Sequence, residues 1–298
     1  MTRTSDAPPV DLAQVVPGIE AHVRHAVRLH PRPGRPGLRD SHIGGPLLWP
    51  ASEPWPRCGQ SPYCALGPDD PMIVVAQLTA ADFPEIAFPD GADLVQVLWC
   101  GGYHGAPEGA EPVRVFWRRA ADVRQALAEQ PTPAPELSAQ RLVPRPCVLD
   151  PERVVEYPWY EELPDDLLER LRAWETPYPD EEWYPPLYDE VATAPGFKVG
   201  GSMGWWTTDM PEELVCPTCQ APSVLLLQLD THEWCPHLEW DPHRVSRWQP
   251  LEERHLVAHT AEYQQACEPT GASIGRASHG GVFVCSAAPD HPATFYGQ

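Results

Sequence analysis

The sequence predicts an α+β protein, mainly antiparallel β, built by tandem duplication of a β-rich unit, with a few short helices and an acidic aromatic insert. Three observations lead there. One ordered series occurs twice: His42-Ile43-Gly44-Gly45-Pro46-Leu47-Leu48-Trp49 and Lys198-Val199-Gly200-Gly201-Ser202-Met203-Gly204-Trp205, each followed by a cysteine pair and an apolar run that includes a Gln. Short runs of apolar and β-branched residues bounded by Gly, Pro and Asp read as buried strands. Twelve Trp and nine Tyr among 298 residues carry enough apolar surface for a packed core, although Pro and Gly make up about a fifth of the chain.

Four segments follow: 1–37, an N-terminal helix and a basic Arg/Pro stretch; 38–130, the first repeat; 131–193, a Pro-rich linker and the insert; 194–298, the second repeat. The repeats are expected to pack as one unit. From Pro17 to about Leu29 the spacing of Ile19, Val23, Ala26 and Val27 predicts a helix. Arg24, Arg28, Arg32, Arg35 and Arg39 form a basic run through its end. In the first repeat, Met72–Leu78 and Val95–Cys100 read as strands, and Arg119–Glu129 as a second short helix. In the second, Val224–Leu229 and Gly281–Cys285 are the matching strands. The Gly-Gly pairs predict turns needing φ > 0. Gln77 and Gln228 predict amides that satisfy neighbouring backbone.

The pattern h-G-G-x-h-x-W, a Cys pair, an apolar strand ending Gln-Leu, and a strand ending in Cys resembles the YwqG-like family, a bacterial group of unknown function. More distantly it is similar to the ribosome-assembly chaperones related to programmed cell death protein 2. The likeness covers about residues 38–118 and 194–298. It implies a tandem antiparallel β fold and brings no activity with it.

The insert, residues 150–190, holds 14 acidic residues against three arginines, together with eight aromatics. Within it Pro164–Glu175 predicts an amphipathic helix, with Leu163, Leu167, Leu168, Leu171 and Trp174 on one face and Asp165 and Asp166 at its N-terminus. Two readings stand. It is a solvated connector whose rings pack on the repeats, or a surface on which Asp165, Asp166, Trp174, Asp180, Glu181, Glu182 and Trp183 hold a basic protein client. The basic run near the N-terminus would compete for the same acids.

Cys216-Pro217-Thr218-Cys219 points two thiolates at one centre, as a tetrahedral zinc site requires. Antiparallel pairing of the strands at 223–229 and 281–285 would set Cys285 beside Cys219, leaving His291 as the fourth ligand. Cys235 with His237 has zinc-like spacing but would lie at the opposite strand end. The resemblance implies a further Cys after position 285, and Ala287 and Ala288 stand there instead. The first repeat offers a looser parallel in Cys58, Cys64, Cys100 and His104. The opposing reading is small buried apolar cysteines.

A formal net charge of −21 argues against binding a phosphate backbone. Lys198 is the single lysine, so neither a G-K-[ST] phosphate loop nor a choice of Schiff-base lysines exists. Neither a leader-like N-terminus nor an apolar run of membrane-spanning length is present, and nine cysteines suit a reducing cytoplasm. Two G-x-S-x-G matches, at Gly200–Gly204 and Gly271–Gly275, lack the following helix of a nucleophile elbow. The triad they would allow is Ser202, Asp230 and His255 or His279. No H-E-x-x-H occurs, and the zinc-deaminase order of His-Glu before the Cys pair is reversed. These features favour a non-enzymatic cytosolic binding module, chaperone-like or immunity-like, holding a basic client. The alternative is a hydrolase or metal-dependent enzyme with a site between the repeats.

Overall fold

The computed structural model describes residues 3–58, 70–100, 112–175, 187–234 and 246–298. In chain order its elements are α1 (Leu12–Val15), β1 (Arg24–Arg28), β2 (Arg32–Pro33), β3 (His42–Ile43), β4 (Ile73–Thr79), β5 (Leu94–Trp99), β6 (Val113–Arg118), α2 (Pro135–Ala139), β7 (Cys147–Val148), β8 (Glu152–Glu156), α3 (Asp165–Glu175), α4 (Leu187–Ala192), β9 (Lys198–Gly200), β10 (Ser223–Asp230), α5 (Ala261–Cys267), β11 (His279–Cys285) and β12 (Thr294–Gly297). The strands form two six-stranded antiparallel sheets, β12-β11-β10-β9-β1-β8 and β2-β7-β3-β4-β5-β6.

The duplication is written into the register. The series β3-β4-β5-β6 and β9-β10-β11-β12 occupy corresponding places in the two sheets. Each long central strand carries a bulge at the same point, between Val74 and Ala76 in β4 and between Leu225 and Leu227 in β10. Gln77 Nε2 donates to the carbonyls of Leu38 and Asp40, and Gln228 Nε2 to those of Ala194 and Gly196. Both glutamines thus tie down the chain that leads into the glycine pair, as the sequence predicts. Gly44, Gly200 and Gly201 take φ of 65°, 69° and 74°, the left-handed region that Gly enters without steric cost.

The two repeats are also interlocked. Residues 24–33 cross from the first sheet (β1) to the second (β2), and residues 147–156 cross back (β7 to β8). Hence β1 of the first half lies between β8 and β9 of the second, while β7 lies between β2 and β3. Inward side chains of both sheets share one core, including Val27, Val75, Val95 and Val97 with Leu227, Leu229, Val282 and Val284.

Three sequence expectations are corrected. Residues 17–29 are not a helix: a 3-10 turn at Ile19–His22 follows Gly18 (φ 102°), and the chain then runs as β1. With open ladder positions on both sides, pairing to β8 and β9 overrides the helical spacing. The helix expected over 119–129 is one 3-10 turn, Ala120–Asp122. The residues beyond it are drawn out along the first repeat, where Ala126 pairs with Pro50 and the Leu127 N–H bonds the Trp49 carbonyl. Finally, residues 131–193 are more than linker and insert, because they supply a strand to each sheet. The helix expected over 164–175 is present as α3.

Candidate metal centre and adjoining groove

Cys216 and Cys219 lie on a tight hairpin joined to the start of β10. Val215 bridges Pro222, the Cys216 N–H bonds the Ala221 carbonyl, and Gln220 closes the turn at φ 60°. Opposite Ser223, the first residue of β10, stands Cys285, the last of β11. A turn through Ala288 then brings His291 back. The antiparallel pairing argued from the sequence therefore holds, and the four residues converge. Their ligand atoms all lie within 4.8 Å of one another. Cys219 Sγ and Cys285 Sγ are 3.4 Å apart, as are Cys216 Sγ and His291 Nδ1. The edge of a tetrahedron around zinc is about 3.8 Å between sulfurs and about 3.6 Å between sulfur and nitrogen, so the set fits with small outward shifts. The cluster could hold a metal ion, with three soft donors and one imidazole.

Electrostatics prepare these groups for a cation. At Cys216 burial opposes ionisation, but the N–H groups of Cys219 and Thr218 and the His291 ring outweigh it and bring the thiol down to about 6. At Cys285 desolvation is likewise overcome by the Ala288 N–H, the Cys219 thiol and the Ala287 N–H, and the pKa falls. His291 is raised by its bonds to Cys216 and Cys285. Cys219 moves up: the Ala221 N–H favours its thiolate, but sharing a proton with Cys285 and lying beside Cys216 prevail. A divalent ion bound by these groups would take the place of the protons that the thiols and the imidazole share, releasing them.

No family model and no curated protein matches this chain.

Beside the metal cluster a groove of about 640 Å³ opens between the halves. Gly200–Met203, Trp205, Leu225, Phe283 and Cys285 come from the second repeat, and Glu85, Ile86 and Trp117 from the first. Arg24 of β1 reaches over it, donating to both Glu162 oxygens (3.0 and 2.6 Å) and to Ser202 Oγ (2.8 Å). Among the described residues Ser202 has no base: Asp230 accepts from the N–H groups of Gly196 and His232, and His279 Nε2 donates to the Gly204 carbonyl. The triad is not assembled. Beneath the groove Lys198 and Glu156, both with fully buried side chains, meet at 2.6 Å. Lys198 Nζ also donates to the Ser202 carbonyl, and Glu156 accepts from the N–H groups of Ala194 and Ser202. In the first repeat the corresponding residue, His42, donates from Nε2 to the Pro46 carbonyl, so one backbone-clamping role is served by two residue types.

Of the expected client-binding residues, Asp165 and Asp166 are exposed at the start of α3, with Asp166 paired to Arg170. Trp174 packs on a cluster that includes Leu12, Val16, Ile19, Leu167 and Leu171. Asp180, Glu181, Glu182 and Trp183 lie outside the described residues, as do Cys64, His104, Cys235 and His237. Cys58 and Cys100 are buried with Trp55 and Met72. The basic run does meet acids of the insert, through Arg24–Glu162 and Arg28–Glu152.

Sequence reasoning missed one buried cluster. At the strand crossover Arg28 and His30 are fully buried against Glu233 and Glu152, with Arg32 and Glu253 completing the set. His30 takes φ 42°. Residues 3–6 strap across it, and the Ser5 hydroxyl donates to Glu152 while accepting from Arg28. The Arg run and isolated acids 120 or more positions away gave no local signal for this arrangement.

Proposed function

We propose that this protein is a non-enzymatic cytoplasmic binding module, chaperone-like or immunity-like, that holds a basic protein client on the acidic face of its insert. We also propose that Cys216, Cys219, Cys285 and His291 bind a structural zinc ion. The observation that carries the binding reading is the posture of α3. Its apolar side is docked on Leu12, Val16 and Ile19, which leaves Glu161, Asp165, Asp166 and Glu169 in solvent. A fixed acidic face attracts Arg- and Lys-rich segments and adds little for other partners. Four protein ligands leave zinc no open position, which suits a staple between the β10 hairpin and β11 rather than a catalyst. No helix among the described residues is long and apolar enough to cross a membrane.

The alternative, a hydrolase or metal enzyme between the repeats, has the groove in its favour. Its acids, however, are occupied: Glu162 by Arg24 and Glu85 by Arg153. Calorimetric titration with a deca-arginine peptide tests the client reading. Binding should weaken as salt rises and fall in a variant carrying Asp165→Asn, Asp166→Asn, Asp180→Asn, Glu181→Gln and Glu182→Gln. Equal affinity in that variant would refute it. Elemental analysis of purified protein should find one zinc per chain, and none in Cys285→Ser.

A further inference from the structure

The hairpin before β10 sets an exposed sulfur against a buried one. Among the described cysteines Cys219 alone is exposed. Its place on the hairpin explains this. Pro217, Thr218 and Gln220 around it are exposed as well, Gln220 turns the chain at φ 60°, and the chain enters the sheet only at Ser223. Inward of Cys219 lies Cys285, buried at the end of β11 and opposite Ser223. The two sulfurs are 3.4 Å apart. In a disulfide they are about 2.0 Å apart, so closing the gap takes a movement of roughly 1.4 Å. The exposed turn can make that movement while the β10–β11 ladder stays paired.

The third thiol of the cluster is engaged elsewhere. Cys216 Sγ stands 3.4 Å from His291 Nδ1 and accepts from the Thr218 N–H at the same distance. The four-ligand set thus divides into two contacts, Cys216 with His291 and Cys219 with Cys285. Joining the second pair removes two of the four ligands. The two that remain are too few for a structural zinc site, which four protein ligands close. The tie between the hairpin and β11 survives, because the new bond joins residues that the metal would otherwise hold together. One staple replaces another.

We propose that Cys219 and Cys285 form a reversible oxidation site, at which a hydroperoxide converts their two thiolates to a disulfide and expels the zinc ion. This rests on the zinc reading and adds the regulation of that site. With hydrogen peroxide, Cys219 Sγ attacks first. An S–O bond forms, the O–O bond breaks, and the hydroxide that leaves takes up a proton to become water. Cys285 Sγ then attacks the Cys219 sulfenic acid. The S–S bond forms, the S–O bond breaks, and a second hydroxide leaves and becomes water. Together the two sulfurs lose two electrons and the peroxide gains them, while zinc departs as the divalent ion with its charge unchanged. Access sets the order, since oxidation reaches the exposed sulfur first and the buried neighbour resolves it. In a reducing cytoplasm such a bond is transient, and a dithiol restores both thiols and with them the site.

The experiment treats the whole zinc-loaded chain with hydrogen peroxide. Released zinc is followed with a chromogenic chelator against an untreated control, and the cysteines are mapped by mass spectrometry after alkylation. One zinc should be released per Cys219–Cys285 disulfide formed, and dithiothreitol should restore binding of added zinc. Cys219 should react at least about tenfold faster than Cys147, whose buried thiol is pushed up to about 12. In Cys285→Ser, dimedone should trap Cys219 as the sulfenic acid that the wild type resolves; where that variant does not fold, the wild-type mapping decides alone. Zinc release with a Cys216–Cys219 disulfide, or with sulfinic acid in place of the Cys219–Cys285 bond, would overturn the inference. So would zinc retained while Cys147 is oxidised. A chain that takes up no zinc refutes the zinc reading and the metal-release claim with it. A zinc-loaded chain that never forms the Cys219–Cys285 bond refutes the oxidation site alone and leaves the zinc reading standing.

Discussion

Replacing Lys198 by Met isolates the buried ion pair under the glycine turn. The variant keeps the length and apolar stem of the side chain and removes the ammonium. What is lost is two short bonds, to Glu156 Oε1 and to the Ser202 carbonyl, both 2.6 Å. What remains is a fully buried Glu156 carboxylate still holding the N–H groups of Ala194 and Ser202. Breaking a buried pair from one side costs about 3–5 kcal/mol because a charge is left uncompensated. The two remaining N–H donors place this case at the lower end, about 3 kcal/mol. Urea unfolding followed by tryptophan emission measures it as a shift in midpoint at constant slope. Adding Glu156→Gln should return part of the loss, since the neutral amide no longer needs a cation; its one oxygen keeps one of the two backbone donors, which Glu156 holds on separate oxygens. A Lys198→Met protein within about 1 kcal/mol of the wild type would refute this reasoning, as would a double variant weaker than the single one.

Two further predictions rest on single side chains. Lys198 is the one lysine and has no exposed side-chain surface, so an amine-reactive ester should leave it unmodified in the folded protein and modify it in urea, read by peptide mapping. Modification at equal rates in both states would contradict the burial. Desolvation, only partly offset by the Pro46 carbonyl, lowers the pKa of His42 to about 4. A histidine depressed in the folded state contributes stability that is complete above its unfolded value near 6.5 and is lost as pH falls toward 4. Over that window wild type should lose up to about 3 kcal/mol relative to His42→Gln, measured as the difference between their urea midpoints at pH 7 and about pH 4.5. The paired comparison matters because Asp230, raised to about 6 by burial, changes stability in the opposite direction over the same range. A pH-independent difference would show that His42 does not titrate there.

What the sequence disclosed follows from how local each signal is. Strand pairing could be inferred because apolar runs and their Gly, Pro and Asp boundaries are contiguous. Once two strands were paired, Cys285 was placed beside Cys219 by geometry alone, 66 positions away. The equivalence of Gln77 and Gln228 was legible for the same reason, since each lies in the apolar run that follows its glycine pair and cysteine pair. The region 17–29 misled because its apolar spacing suits a helix in isolation, while the ladder positions that draw it into a strand belong to residues 152–156 and 198–200. The extended path of residues 126–130 was hidden likewise, being held by bonds to residues 47–50. The buried polar cluster of Arg28, His30 and Glu233 has no periodic or spacing signature at all.

The interlocking of the repeats gives these observations a common cause. Since β1 is enclosed by strands of the second half and β7 by strands of the first, neither half can complete its sheet alone, and folding must bring residues 24–33 and 147–156 together. The crossover is where charged side chains are least avoidable, because two chain segments change sheets there and their backbone groups leave the ladders. Arg28 and His30 between Glu152 and Glu233 satisfy that junction, and residues 3–6 close it from outside. With the halves held in this way, the equivalent surfaces on the two repeats carry different covers. Leu127 packs on one, and Trp159, Met210 and Leu214 pack on the other. The second lies beside Cys216, Cys219, Cys285 and His291, which bring the β10 hairpin and the end of β11 together. If the proposed zinc ion is bound there, its removal by a chelator should loosen the β10 hairpin and the end of β11 before the rest of the sheet, read as faster amide hydrogen exchange at residues 215–223 and 283–286.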